Sequence, residues 1–315
     1  MGSTAWQPPP SLFQRRESAG ACDLWKAICI DHEIQNVVRL QLEALWRHYR
    51  PYATEHFYHE FPRDTQARFW EMYLAVALLR RGVTLKRLPD DSPDIGFLAA
   101  SGTSVWIEAA APGPGQAGLP DSVDDFPFHP DAPVEALCVP ELPILLRLMH
   151  AIYEKRKQRC RQLRSGVIQR HQPFVIAVNA GGIPAARFPT SLPWIVKSLF
   201  PIGDLTATFD CTTSAFVGAG WSTRVAVPKA NGREISTTLF TQPRSRGVSA
   251  VLYSAVHPGS LLRDEALECG LDFVLVHNPY AAFPLPDDVL PDAEHWIARP
   301  DGDGFLTLTR RQRQH

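Results

Sequence analysis

The sequence predicts an α/β fold: a mixed central sheet flanked by helices, with a core running helix, three strands, helix, strand. Segments of helical periodicity alternate with short runs of strand character along the chain. Three of those runs, Phe174–Val178, Val248–Ser254 and Asp272–His277, are continuously apolar, the mark of strands covered on both faces. A further pair, Ile95–Ala99 and Ser104–Ala110, flanks a Gly-containing turn and reads as a hairpin.

Residues 1–20 read as a loose tail with Pro8-Pro9-Pro10 and no apolar leader. From Asp23 to about Arg50, the spacing of Leu24, Ile28, Ile34, Val38, Leu42 and Leu45 predicts helix, interrupted near Asp31. Pro62-Arg-Asp64 opens the next helix, and Arg80-Arg81-Gly82 closes it. Between them Phe69–Leu79 is apolar on every side except at Glu71. Such a helix is buried, and a carboxylate inside it needs a cation or hydrogen bonds to meet it.

Val83–Leu88 alternates and reads as the first core strand, ahead of the hairpin. Pro112–Pro140 is a long loop rich in Pro and Gly, with the acids Asp121, Asp124, Asp125, Asp131 and Glu135 and no Lys or Arg. Long loops in compact domains are usually functional or mobile. Helix returns over Glu141–Arg164, with Leu145, Leu148, Met149 and Ile152 on one stripe. Beyond the apolar strand at Phe174, a helix is expected at Trp194–Phe200 and a strand-like run at Leu205–Phe209. The division that results is a tail and helical arm at 1–60, a core at 61–180, and an extension at 181–315 packed on the same sheet.

The chain has 315 residues and a formal charge of −1, so no global field draws it to a polyanion or a membrane. Its six cysteines include no C-x-x-C pair and read as free thiols of a cytoplasmic protein. No apolar run approaches the roughly 18 residues that a membrane span needs. His48, His56 and His59, with Glu55 and Glu60, follow no zinc spacing and read as part of a packed aromatic segment.

Three acids stand in telling places. Glu71 interrupts the apolar helix, Asp94 follows a proline at the mouth of a strand, and Glu108 lies in the apolar strand Val-Trp-Ile-Glu-Ala-Ala. Alternation puts Glu108 on the face of Trp106 and Ala110. Lone carboxylates in apolar surroundings are readily explained if they converge on a hard divalent ion, which takes carboxylate oxygens.

A helix Glu, then Pro-Asp, then about a dozen residues to an apolar strand bearing Glu, in the order αβββαβ, resembles the restriction-endonuclease-like PD-(D/E)xK nuclease superfamily. The likeness runs from about Asp64 to Asn179. It implies a restriction-endonuclease-like fold and hydrolysis of phosphodiester bonds in DNA or RNA. It also implies Glu71, Asp94 and Glu108 as ligands of Mg²⁺, with Mn²⁺ as a substitute, and a lysine that orients the attacking water.

Where the motif places that lysine, two positions after Glu108, this chain has Ala110. Members of the superfamily that move the lysine to the following helix offer Lys155 as its counterpart. Lys155 continues the row from Leu148 to Ile152 and shares a face with Gln158. Lys157 stands about 200° further round and faces water. The catalytic set expected is therefore Asp94, Glu108 and Lys155, supported by Gln158. A catalytically silent member, binding nucleic acid or a protein partner, is the alternative. Glu154 to Arg170 holds seven basic residues against one acid; of these, Arg156, Lys157, Arg159, Arg161 and Arg164 are the expected contacts to nucleic acid.

Overall fold

The computed structural model describes residues 6–88, 92–124, 139–188, 190–262, 269–301 and 305–311. Asp125, Asp131 and Glu135 of the acidic loop, and Cys138, lie outside the described residues. The remaining five cysteines are free.

Helices α1 (Asp23–Cys29) and α2 (Glu33–Tyr49) break at Ile30–His32, close to the expected interruption. A short α3 (Glu55–Glu60) leads into α4 (Thr65–Arg80), whose first turn is capped by Asp64 accepting from the Ala67 N–H. Gly82 follows at φ +77, the left-handed conformation that ends a helix at little cost to glycine. α4 is buried on all sides because the sheet covers one face and the N-terminal helices the other. The tail before α1 is not loose: Leu12 and Phe13 are buried, and the Phe13 ring stacks on Trp25 at 4.9 Å.

The hairpin forms as β1 (Ile95–Leu98) and β2 (Ser104–Ala110), antiparallel, with Ile95 opposite Ile107. After α5 (Glu141–Arg164), β3 (Phe174–Asn179) pairs parallel to β2, and every residue of β3 is buried. Next come α6 (Trp194–Leu199) and two ribbons, β4 (Ile202–Phe209) with β5 (Phe216–Thr223) and β6 (Ala226–Pro228) with β7 (Glu234–Ser236). β8 (Ala250–Ser254), β9 (Val274–His277), β10 (Glu294–Pro300) and β11 (Leu306–Arg311) return to the main sheet. Its order is β1-β2-β3-β8-β9-β10-β11, seven strands of mixed direction.

The fold is thus α/β, with a mixed seven-stranded sheet and helices on both faces. Alternate residues of each central strand serve different cores. Val105, Ile107, Val175, Ala177 and Leu252 pack beneath α1–α4, and Trp106, Ile176, Val178 and Val251 pack beneath α5 and α6. Two further expectations are corrected. Val83–Leu88 is not a strand: among the described residues it makes one bridge to β1, Leu85 to Phe97, beside the Lys86 N–H donating to the Gly96 carbonyl. Leu205–Phe209 joins an exposed ribbon rather than the main sheet.

β1 lies so close under Trp106 that a Cβ on Gly96 would stand 2.6 Å from the indole ring. The ring cannot easily yield, since its Nε1 donates to Gln172 at 2.7 Å. Gly96→Ala is therefore expected to cost about 1–3 kcal/mol in urea unfolding. Unchanged stability would show that the β1–β2 packing is looser than described.

Candidate active site: an acid cleft at the sheet edge

β1 is a short edge strand, and its start is where both helical layers meet. The hairpin register, continued one step past Ile95–Ile107, sets Asp94 opposite Glu108. Asp94 Oδ2 accepts the Ala109 N–H at 2.7 Å, which fixes the carboxylate there. From one face of the sheet, α4 brings Glu71; from the other, α5 brings Lys155.

Lys155 Nζ donates to Glu108 Oε2 at 2.8 Å and stands 3.6 Å from Asp94 Oδ2. It also donates to Gln158 Oε1 at 3.2 Å, and Gln158 Nε2 donates to Glu108 Oε1 at 3.0 Å. Gln162, one turn further on, gives a second amide hydrogen bond to the same oxygen. Glu108 is wholly buried. Glu71 is 7% exposed; Tyr49 Oη donates to its Oε1 at 2.6 Å and Arg68 Nη1 to its Oε2 at 2.5 Å. Glu71, Asp94, Arg68 and Tyr49 line a cavity of about 130 Å³.

The structure thus brings Asp94, Glu108, Lys155 and Gln158 into one hydrogen-bonded cluster, with Glu71 across the cavity from it. Among the described residues, no group of three or more His, Cys, Asp or Glu side chains is set to hold a metal ion. The reason is visible in the bonding: Glu71 is turned to Tyr49 and Arg68, and Glu108 to Lys155 and the two glutamines. The donor set is nonetheless all carboxylate oxygen, the chemistry that suits Mg²⁺ or Mn²⁺.

Charge is unbalanced here. Three carboxylates, Glu71, Asp94 and Glu108, are in ion-pair contact with two cations, Arg68 and Lys155. Lys86, which also lines the cavity, is held by Ser104 Oγ at 2.8 Å and lies over the Trp106 ring. Burial, and then the charge of Asp94, push both Glu71 and Glu108 up to about 7, against the opposing pull of Arg68 and Lys155 respectively. Burial disfavours the Lys155 ammonium, but Asp94 and Glu108 together outweigh it and raise its pKa. Tyr49 is driven well above its ordinary value by burial and by the charge of Glu71.

The basic residues divide. Arg156 and Arg159 line a second cavity, of about 490 Å³, with Arg170, Arg244 and Arg246. Lys157 is at the same cavity, exposed as expected and paired with Glu154 at 2.9 Å. Arg161 and Arg164 are exposed and do not line it.

Sequence reasoning missed Tyr49 and Gln162. Gln162 follows Gln158 by four residues, a spacing that marks the same face as Lys155. Tyr49 carries no local signal, because the packing of α2 against α4 is what delivers it.

A carboxyl whose folded pKa lies above its ordinary 4.5 stabilises the fold fully below that value and loses the contribution as pH rises through about 7. Removing one of three acids relieves the imbalance, and removing one of two cations worsens it. In chelator, Glu108→Gln is expected to melt a few degrees above the parent at pH 8 and level with it at pH 5. Lys155→Met is expected to melt below the parent at pH 8, with the deficit shrinking at pH 5. Offsets that do not change with pH would contradict this charge balance.

Among the described residues, no helix is long and apolar enough to cross a membrane. No family model, curated protein or solved structure matches the chain.

Proposed function

We propose that the chain is a restriction-endonuclease-like nuclease that hydrolyses phosphodiester bonds of DNA or RNA with Mg²⁺ or Mn²⁺. The observation that supports it is the placement of an ammonium from α5, Lys155, against Asp94 and Glu108. It restores on the helix the cation that Ala110 denies to the strand. The negative excess around it gives a divalent cation a reason to bind.

Glu71, Asp94 and Glu108 are the residues that hold the ion. When bound, it supplies charge neutralisation at the phosphoryl group and a more acidic water. Lys155 cannot take the proton of that water, because its raised pKa keeps it an ammonium at neutral pH. It acts as a donor instead, steadying the negative oxygens of the attacked phosphate. Gln158 and Gln162 hold Glu108 and, through Gln158, keep the ammonium in place. Asp94 is anchored by the Ala109 N–H and stays put when its neighbours turn toward a ligand.

A second reading, a silent nuclease-fold protein that binds nucleic acid or a protein partner, is favoured by one observation. Both oxygens of Glu71 and both of Glu108 already carry hydrogen bonds from the chain itself.

The two readings separate in a cleavage assay on DNA and RNA, with Mg²⁺ or Mn²⁺ against chelator. Metal-dependent products are expected, reduced at least about a hundredfold by Asp94→Ala, Glu108→Ala and Lys155→Ala. Undiminished cleavage by Asp94→Ala and Glu108→Ala rejects the proposed centre. Absence of turnover, with nucleic-acid binding that survives both substitutions, establishes the silent reading.

A further inference from the structure

The larger cavity lies beside the acid cleft on the same helix. Lys155, Gln158 and Gln162 form one stripe of α5; Arg156, Arg159 and Leu163 form the next, about 100° round. The first stripe faces Glu108, and the second lines the 490 Å³ cavity with residues from beyond β7 and β9. Six basic side chains line that cavity and no acidic one does. Among the described residues, Arg159, Arg170, Arg244 and Arg246 have no carboxylate partner.

This arrangement is costly without an anion. Arg156 is depressed by burial and then by Arg244, and Arg159 by burial and by Arg170 and Arg156. Arg159 is nevertheless held firmly. Its guanidinium lies over the Phe174 ring at 5.4 Å. It also rests on the backbone at Gly247, where a Cβ would stand 2.6 Å from Nη1. Its Nε is buried and has no hydrogen-bond partner among the described residues. A planar guanidinium fixed at the wall of the cavity suits phosphate oxygens.

The remaining lining narrows the ligand further. A volume of about 490 Å³ is in the range of small-molecule sites and far exceeds the needs of a bare inorganic anion. Leu163 and Val248 give it an apolar floor. Two aromatic rings, Tyr153 and Phe283, line it while 52% and 40% exposed; Lys157 Nζ lies over the Tyr153 ring at 4.3 Å, and the Phe283 ring is placed to stack on a flat base.

We infer that this cavity binds a phosphorylated nucleotide, with phosphates among Arg156, Arg159, Arg170, Arg244 and Arg246 and the base against the Phe283 ring. The inference does not depend on cleavage in the acid cleft. The nucleotide is either free or the 5′-phosphorylated end of a strand, which share the chemistry that the site recognises.

Equilibrium binding of a fluorescent ATP analogue, in chelator so that no cleavage occurs, tests it. Saturable binding is expected, competed by ATP and pyrophosphate. It should weaken about tenfold or more in Arg159→Gln and Arg244→Gln, and be unchanged in Arg233→Gln on the β6–β7 turn, which does not line the cavity. Arg244 is exposed, so its variant keeps the fold if Arg159→Gln loses it. Competition by a 5′-phosphorylated oligonucleotide but not by its 5′-hydroxyl form identifies a strand end; competition by ATP alone identifies a free nucleotide. No saturable binding, or equal weakening in Arg233→Gln and Arg244→Gln, overturns the inference. Asp94→Ala binds the analogue like the parent whether or not it has lost cleavage, so the two sites fail or stand separately.

Discussion

The site depends on one electrostatic constraint: three carboxylates, Glu71 and Glu108 buried and Asp94 partly so, meet at a sheet edge with two cations in ion-pair contact. Each feature of the cleft answers to that excess. Tyr49, Gln158 and Gln162 spend their hydrogen bonds on carboxylate oxygens. Arg68 and Lys155 remain charged despite partial burial, because Glu71, Asp94 and Glu108 outweigh the loss of water. A fold that carried this cluster only for stability would do better with apolar side chains of similar volume.

The edge position makes the cluster possible. In the sheet interior, α4 and α5 are separated by a full layer of backbone, and a side chain from one cannot meet a side chain from the other. β1 has four residues and, among the described residues, no strand beyond it, only the Leu85–Phe97 bridge, so groups from both layers approach round its end. Asp94 stands at the junction, fixed by the β2 backbone, and its charge is felt by Glu71 from one layer and Glu108 from the other.

Much of this was legible because it is local. Phe69–Leu79 reads as a buried helix with one misplaced carboxylate, and Lys155 with Gln158 reads as a face. The hairpin turn sets the register that puts Asp94 beside Glu108. What escaped depends on long-range pairing. Val83–Leu88 alternates as a strand should, but among the described residues it makes a single bridge to β1. β10 and β11 gave no apolar run, since β11 is an exposed edge that carries Arg310 and Arg311, charges that discourage further pairing. Arg244 and Arg246 reach the 156–159 stripe from more than eighty residues away, which no spacing rule sees.

The central claim is that the acid cleft is short of positive charge and takes a divalent cation to make up the difference. Calorimetric titration of the protein with Mn²⁺ at pH 8 tests it most directly. The account requires saturable binding that disappears in Asp94→Ala, the variant that removes the anchored ligand while leaving both helices intact. No binding to the parent protein, or binding that Asp94→Ala leaves unaltered, would contradict it.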